Sequence, residues 1–260
     1  WPDASAAAVR AQREADRAFL ARLERIPVDR LTGNNRISHA VLDYLLRSNV
    51  ALAAFDPERV PFVNDSGFFT MPLGVASSTR PRTIEEARAW LSRLEALPAF
   101  LAQHREWMAR GVADGFVQPA YVVEAVIAQL EAIVATSPAE SPLLEPFQGL
   151  PDALEAAHGE ALRERAVGLV ETRVLPAYRG LLEFFRTEYL ANPRESIGIS
   201  EVPAGREYYR ELVRHHTTLD TTPEQVHARG LAEVKRIRAE MDRVVEDAGY
   251  DGDFADFLHF

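Results

Sequence analysis

The sequence predicts an all-α fold: an elongated multi-helix array with one short irregular or β-hairpin segment near residues 60–75. Three observations carry this. Apolar residues recur three and four positions apart along most of the chain, the period of a helix with one apolar face. Thr83-Ile-Glu-Glu86 and Thr222-Pro-Glu-Gln225 have the form of a capping box, in which a Thr hydroxyl and a Glu or Gln side chain satisfy free amides at a helix start. Prolines and glycines gather between the periodic stretches, where helices end.

Taken in order, residues 3–25 form a first helix with Val9, Ala15, Phe19 and Leu23 on one stripe, and residues 36–54 a second with Ile37, Val41, Leu45 and Leu52. The Thr83 box opens a third helix that runs to about Arg110, before Gly111 to Gly115 punctuate the chain. Pro119 fits the first turn of the next, 119–135, whose buried stripe is Val122, Val126, Leu130 and Ile133. Residues 136–151 hold Pro138, Pro142, Pro146, Gly149 and Pro151 and read as a connector, a candidate sub-boundary within one helical domain spanning 1–260. A long helical pattern covers 152–191, with Pro176 placed to kink or break it. A second connector, Asn192 to Gly205, precedes helices near 206–215 and 223–248. Val226, Val234, Ile237, Met241 and Val245 mark one face of the last.

The segment Val60 to Gly74 breaks the helical period, with two prolines and two glycines among aromatics. It reads as an extended loop, either functional or filling a gap between helices. Trp90, Trp107, Tyr121 and Tyr178 fall at helical spacing and read as core; of Tyr208 and Tyr209, which face different sides, at most one is buried.

With 47% hydrophobic residues the chain has enough apolar material for a core. A formal net charge of -10 argues against a phosphate backbone or an anionic membrane surface as partner. There is no cysteine, so disulfides, thiolate chemistry and cysteine-ligated metals are excluded within this chain. No apolar run approaches the ~20 residues that cross a bilayer. The chain opens on Trp1-Pro2 without an initiator Met, so a leader removed upstream is an open expectation, and location stays open between the cytoplasm and an exported, periplasmic or cell-envelope form.

Motifs for nucleotide phosphates, for a serine nucleophile elbow and for a zincin helix are missing: no G-x-G-x-x-G, no Walker lysine, no G-x-S-x-G and no H-E-x-x-H. Glu155-Ala-Ala-His158 and Glu224-Gln-Val-His227 are both Glu-x-x-His, the pattern that two helices of a di-iron bundle contribute. Each Glu also sits in the first turn of a predicted helix, where a carboxylate meets the positive end of the dipole, and this simpler reading is preferred. His215-His216 are adjacent, so their side chains diverge by about 100° and do not chelate. The hydroxyl-rich Thr217 to Thr222 that follows is either a turn capping two helices or the polar edge of a groove, with capping favoured.

Five stretches together carry a family resemblance: Arg36-Ile-Ser-His-Ala-Val-Leu-Asp-Tyr-Leu45, the Pro61 to Pro72 loop, Gly111 to Glu124, Pro203-Ala-Gly-Arg-Glu-Tyr-Tyr209 and His216 to His227. In order and spacing the chain resembles the bacterial "domain of unknown function 885" family over nearly its whole length. The resemblance implies a helical zincin-like protein, similar in fold to the Taq-type metallocarboxypeptidases. It implies a parent about twice this length, whose H-E-x-x-P-G-H type zinc motif lies in the C-terminal half. On that reading the chain, which ends inside a further helix start at Asp253 to Phe260, is the non-catalytic helical half of a zinc metallopeptidase and forms a wall of its substrate groove.

This yields specific expectations. Asn64, Gly67, Phe68, Tyr208, Tyr209, His216, Thr217 and Thr218 are the groove candidates, with no catalytic and no metal residue in the chain. Zinc is expected for the parent and no cofactor for this segment. The expected partners are a peptide substrate, the C-terminal half and, through apolar surface beside the 60–74 loop, a second copy of the chain. The alternatives are a helical interaction module without activity and a di-iron bundle.

Overall fold

A computed structural model describes residues 1–259. The fold is mainly α, and two compact units, Trp1–Gly205 and Arg206–Phe260, divide the chain at the end of the second connector.

In the first unit, α1 (Ala6–Leu23) and α2 (Gly33–Leu52) pack on each other. Ser5 caps α1, its hydroxyl accepting the Ala8 N–H at 3.2 Å. Arg13 reaches from α1 to Asp56 at 2.5 Å and Glu58 at 2.6 Å, fastening it to the turns after α2. Burial along this pair is uneven. Phe19, Ile37, Val41 and Leu45 are all exposed, whereas Leu23 and Leu46 are buried. Periodicity identifies an apolar face but does not supply the element that covers it.

A short helix, α3 (Met71–Ser78), occupies part of what the sequence read as loop. Pro72 sits in its first turn, where a missing N–H costs nothing. The next helix, α4 (Ile84–Asp114), starts as predicted, with the Thr83 hydroxyl accepting from Glu86 N–H at 3.2 Å. The box is displaced by one residue, because the Glu86 carboxylate accepts from Arg82 N–H at 2.6 Å. The helix runs through Pro98 and Gly111 and stops where Gly115 turns left-handed at φ 73°. In α5 (Ala120–Ala135), Val122, Val126 and Leu130 are buried as the stripe predicts.

From Asp152 to Tyr189 the chain is one rod made of α6 (Asp152–Leu154), α7 (Glu160–Leu169) and α8 (Leu175–Phe184). Three π turns join and close them, Glu155–Gly159, Val170–Val174 and Phe185–Tyr189. Pro176 therefore does not break the helix. It follows a widened turn, which relieves the clash between a proline ring and the preceding turn. Within that turn the Thr172 hydroxyl donates to the Gly168 carbonyl at 2.6 Å. The rod packs against α4 and α5 around Leu94, Leu97, Val126, Val170, Tyr178 and Phe185.

Residues 136–151, the candidate sub-boundary, lie inside this unit as two 3-10 helices, and Leu143, Leu144, Phe147 and Leu150 are buried in the core. Trp90, Trp107 and Tyr178 are buried as expected, but Tyr121 is 53% exposed, a correction. It lies in the first turn of α5, beside the buried face rather than on it.

The last part of the chain holds α9 (Gly205–Thr217), α10 (Pro223–Asp247) and α11 (Phe254–Phe257). The Thr222 box forms in full: the Thr222 hydroxyl accepts from Gln225 N–H at 3.2 Å, and Gln225 Oε1 accepts from Thr222 N–H at 3.0 Å. Val245 is buried, yet Val226, Val234, Ile237 and Met241 on the same predicted stripe are exposed. The helix expected over Asp253 to Phe260 is present as α11; Phe260 itself lies outside the described residues.

Candidate functional site

The groove candidates divide between the two units. In the first, Pro61 to Thr70 form a tight hairpin. Val63 N–H donates to the Ser66 carbonyl at 2.9 Å and Phe68 N–H to that of Pro61 at 3.3 Å, around a single antiparallel bridge between Phe62 and Gly67. Among the described residues the other β bridge is parallel, Pro119 with Arg194. Gly67 is dictated by proximity. A Cβ there would lie 2.8 Å from the Phe62 Cβ and 2.9 Å from the Pro61 carbonyl oxygen.

Two glutamines hold the hairpin down: Gln118 Nε2 donates to the Phe62 carbonyl at 3.0 Å and Gln129 Nε2 to that of Asn64 at 2.8 Å. Of the three candidates here, only Asn64 is exposed, at a tip shared with Val63, Asp65 and Ser66. Phe68 is 5% exposed and packs on His104, with ring centroids 4.6 Å apart. Its role is core packing, as the gap-filling reading of the loop holds. Phe69 is also buried, and its carbonyl accepts the Tyr178 hydroxyl at 2.8 Å.

His104 is the titratable group that sequence reasoning missed. Phe68 and Phe100 flank its ring, each at 4.6 Å between centroids, and Nδ1 is buried with no hydrogen-bond partner. Burial pushes its pKa down to about 4. The imidazole is therefore neutral in the fold at any pH above that, whereas in the unfolded chain it takes a proton near 6.5. Below 6.5 the unfolded state binds more protons. The contribution of this site is thus full above pH 6.5 and is lost as pH falls towards 4. Melting temperatures at pH 7.5 and pH 5 should differ less in His104→Phe than in the wild-type chain; equal differences would remove His104 as the cause.

In the second unit, Tyr208 is buried and Tyr209 exposed, as expected for neighbours on a helix. His215 and His216 meet edge to face at 4.9 Å, and His216 is exposed. Thr217 and Thr218 end α9. The Thr217 hydroxyl donates to the Val213 carbonyl at 2.7 Å and accepts from Leu219 N–H at 3.2 Å. Thr218 N–H donates to Arg214 O at 2.9 Å. With the Thr222 box this is a turn that caps two helices. Thr218 has φ 61°, a left-handed conformation that a β-branched residue rarely adopts.

Each Glu-x-x-His pair has its own surroundings, one in each unit. Glu155 lies one turn into the rod and is held by Arg163, at 2.9 and 2.5 Å, which keeps its carboxyl below the usual range. Glu224 is lowered chiefly by its own backbone amide and then by Thr222, the helix-start role the sequence suggested. His158 and His227 are exposed. Among the described residues no three His, Asp or Glu side chains gather closely enough to hold a metal ion.

These features define a mainly α protein with a glutamine-anchored hairpin, a capped Thr-rich helix junction and long apolar helix faces open to solvent. The chain belongs to the family described as "Bacterial protein of unknown function (DUF885)", which it matches over residues 1–260. Among curated proteins, none matches. A crystal structure described as that of "the putative lipoprotein from Colwellia psychrerythraea" is similar, with a TM-score of 0.87 and 20% sequence identity. The match covers 98% of this chain and 46% of that one, so the chain spans about half the length of the structure it resembles. At that identity the likeness is one of fold. No helix of the described residues is long and apolar enough to cross a membrane.

Proposed function

We propose that the chain is the non-catalytic helical half of a zinc-dependent peptidase of carboxypeptidase type, and that it forms one wall of the substrate groove. The observation that carries the proposal is the uncovered apolar surface. Ile37, Val41 and Leu45 on α2, and Val234, Ile237, Met241 and Val244 on α10, are exposed at helical spacing, in a chain that spans 46% of the similar structure. Faces of this kind are normally buried against further structure. The peptidase assignment itself rests on the family resemblance.

When bound, zinc in such enzymes activates a water molecule for attack on the peptide carbonyl. The described residues do not fit a zinc site, so no step of that chemistry is assigned to this chain. Its part is to bind and orient a peptide, and each unit offers a candidate contact of its own: the exposed hairpin tip at Asn64 in the first, and the junction at Tyr209, His216 and Thr218 in the second. Zinc ligands, the general base and the rest of the groove belong, on this reading, to the C-terminal half. An exported, cell-envelope location accords with the lipoprotein description of the similar structure. The interaction-module alternative shares the uncovered faces; the Arg163 clamp on Glu155 counts against the di-iron one.

Metal analysis of the full-length parent tests the proposal. One equivalent of zinc is expected, with peptide hydrolysis that a chelator abolishes. Residues 1–260 alone, dialysed against zinc, should retain none and cleave no peptide in a panel of blocked and unblocked substrates. Two irons in the parent, or no metal and no hydrolysis, would overturn it.

A further inference from the structure

Away from the groove candidates, the first unit contains a pocket of about 220 Å³, open to solvent on the side of Ala132 and Pro142, which are exposed. Its walls come from four elements: Leu73 of α3, Ala132 and Ile133 of α5, Leu143 of the 3-10 turn, and Val174 and Leu175 where a π turn meets α8. No charged side chain lines it. Its few polar groups are already engaged. The Thr136 hydroxyl donates to the Ala132 carbonyl at 3.0 Å, the Tyr178 hydroxyl to that of Phe69 at 2.8 Å, and the Ser141 hydroxyl accepts from Leu143 N–H at 3.4 Å.

The chemistry of the walls selects what the space holds. An ordered water needs about 2–4 polar partners, and among the lining residues only Thr136, Ser141 and Tyr178 carry a polar side chain, each already in one hydrogen bond. An ion would lose its hydration with no countercharge in return. An uncharged hydrocarbon group meets neither penalty, and it takes the apolar walls out of contact with water. Size agrees: an apolar cavity of about 150 Å³ is enough for a benzene molecule. The π turn Val170–Val174 places Val174 at the wall, and wide turns of this kind are frequent at functional sites.

We propose that this pocket is a binding site for one small, uncharged apolar group, an aromatic ring or a branched aliphatic chain. Methyl NMR of the whole chain tests it, with toluene as probe and pyridine as a polar control of similar size. Saturable shifts should centre on the methyls of Leu73, Ile133, Val174 and Leu175, and pyridine should bind at least about tenfold more weakly. Ala132→Phe, which sets a ring at the solvent-facing opening, should weaken the toluene shifts at least about tenfold. Should that variant not fold, the melting temperature of the wild-type chain gives an independent readout, rising towards a plateau with toluene concentration as a ligand of the native state requires. Absence of saturable shifts up to the solubility of toluene, equal binding of pyridine, unchanged toluene binding by folded Ala132→Phe, or a melting temperature that only falls with toluene would overturn the proposal.

Discussion

Replacing Trp90 with alanine is expected to destabilise the first unit by about 3–5 kcal/mol, the cost of deleting a large buried aromatic. Trp90 is 2% exposed, and its Nε1–H donates to the Leu143 carbonyl at 3.0 Å across to the Pro142–Phe147 turn. Trp1 meets it edge to face at 6.1 Å. The substitution therefore removes ring volume, a bond between distant segments and an aromatic contact together. Trp90→Phe separates these losses, keeping much of the volume while leaving the Leu143 carbonyl unpaired, and should cost about 1–3 kcal/mol. Urea unfolding followed by circular dichroism measures both. A loss below about 1 kcal/mol for Trp90→Ala would mean that the ring does not anchor the Pro-rich segment.

The second large effect lies at the end of the unit. Gly205 is buried, and a Cβ on it would fall 2.0 Å from the Ile199 carbonyl oxygen. The obstacle is backbone in a 3-10 turn, Ile199–Glu201, so it does not swing aside as a side chain would. Gly205→Ala should cost about 2–3 kcal/mol through the shift it forces. Its neighbour Ala204 has φ 55°, which glycine adopts without strain, so Ala204→Gly should be neutral or stabilising by up to about 1 kcal/mol. Opposite signs at adjacent positions are the diagnostic result in thermal melts; matching losses would argue that both residues matter only as helix formers.

What the sequence disclosed follows from the range of each interaction. Helix starts were legible because the Thr222 box joins residues three apart, and the α5 stripe because its period is written in the chain. The π turns carry no such mark, since ordinary residues widen a helix when packing demands it. Gly67 and Gly205 are fixed by close approaches visible only after folding, and the aromatic cage of His104 joins Phe68 to a helix 36 positions later. At the candidate site, composition exposed the unusual hairpin and the Thr-rich junction but not which side chains face outward. Phe68 went inward to His104, while Asn64 and Thr218 stayed at the surface. The α2 and α10 stripes were legible as apolar faces, but whether they are covered was not, because the covering surface is not encoded in the helix itself.

The wide turns of the Asp152 to Tyr189 rod bear on how relatives are compared. A π turn accommodates one more residue than the α turn it replaces while leaving the helix on either side in place. Each of the three, at 155–159, 170–174 and 185–189, is thus a place where one residue can be gained or lost without loss of the rod. A relative that lacks one would show a one-residue gap in the middle of a helix, where gaps are ordinarily taken as misalignment. Closing that gap by sliding the sequences would rotate every downstream position by about 100° and set surface residues of one protein against core residues of the other.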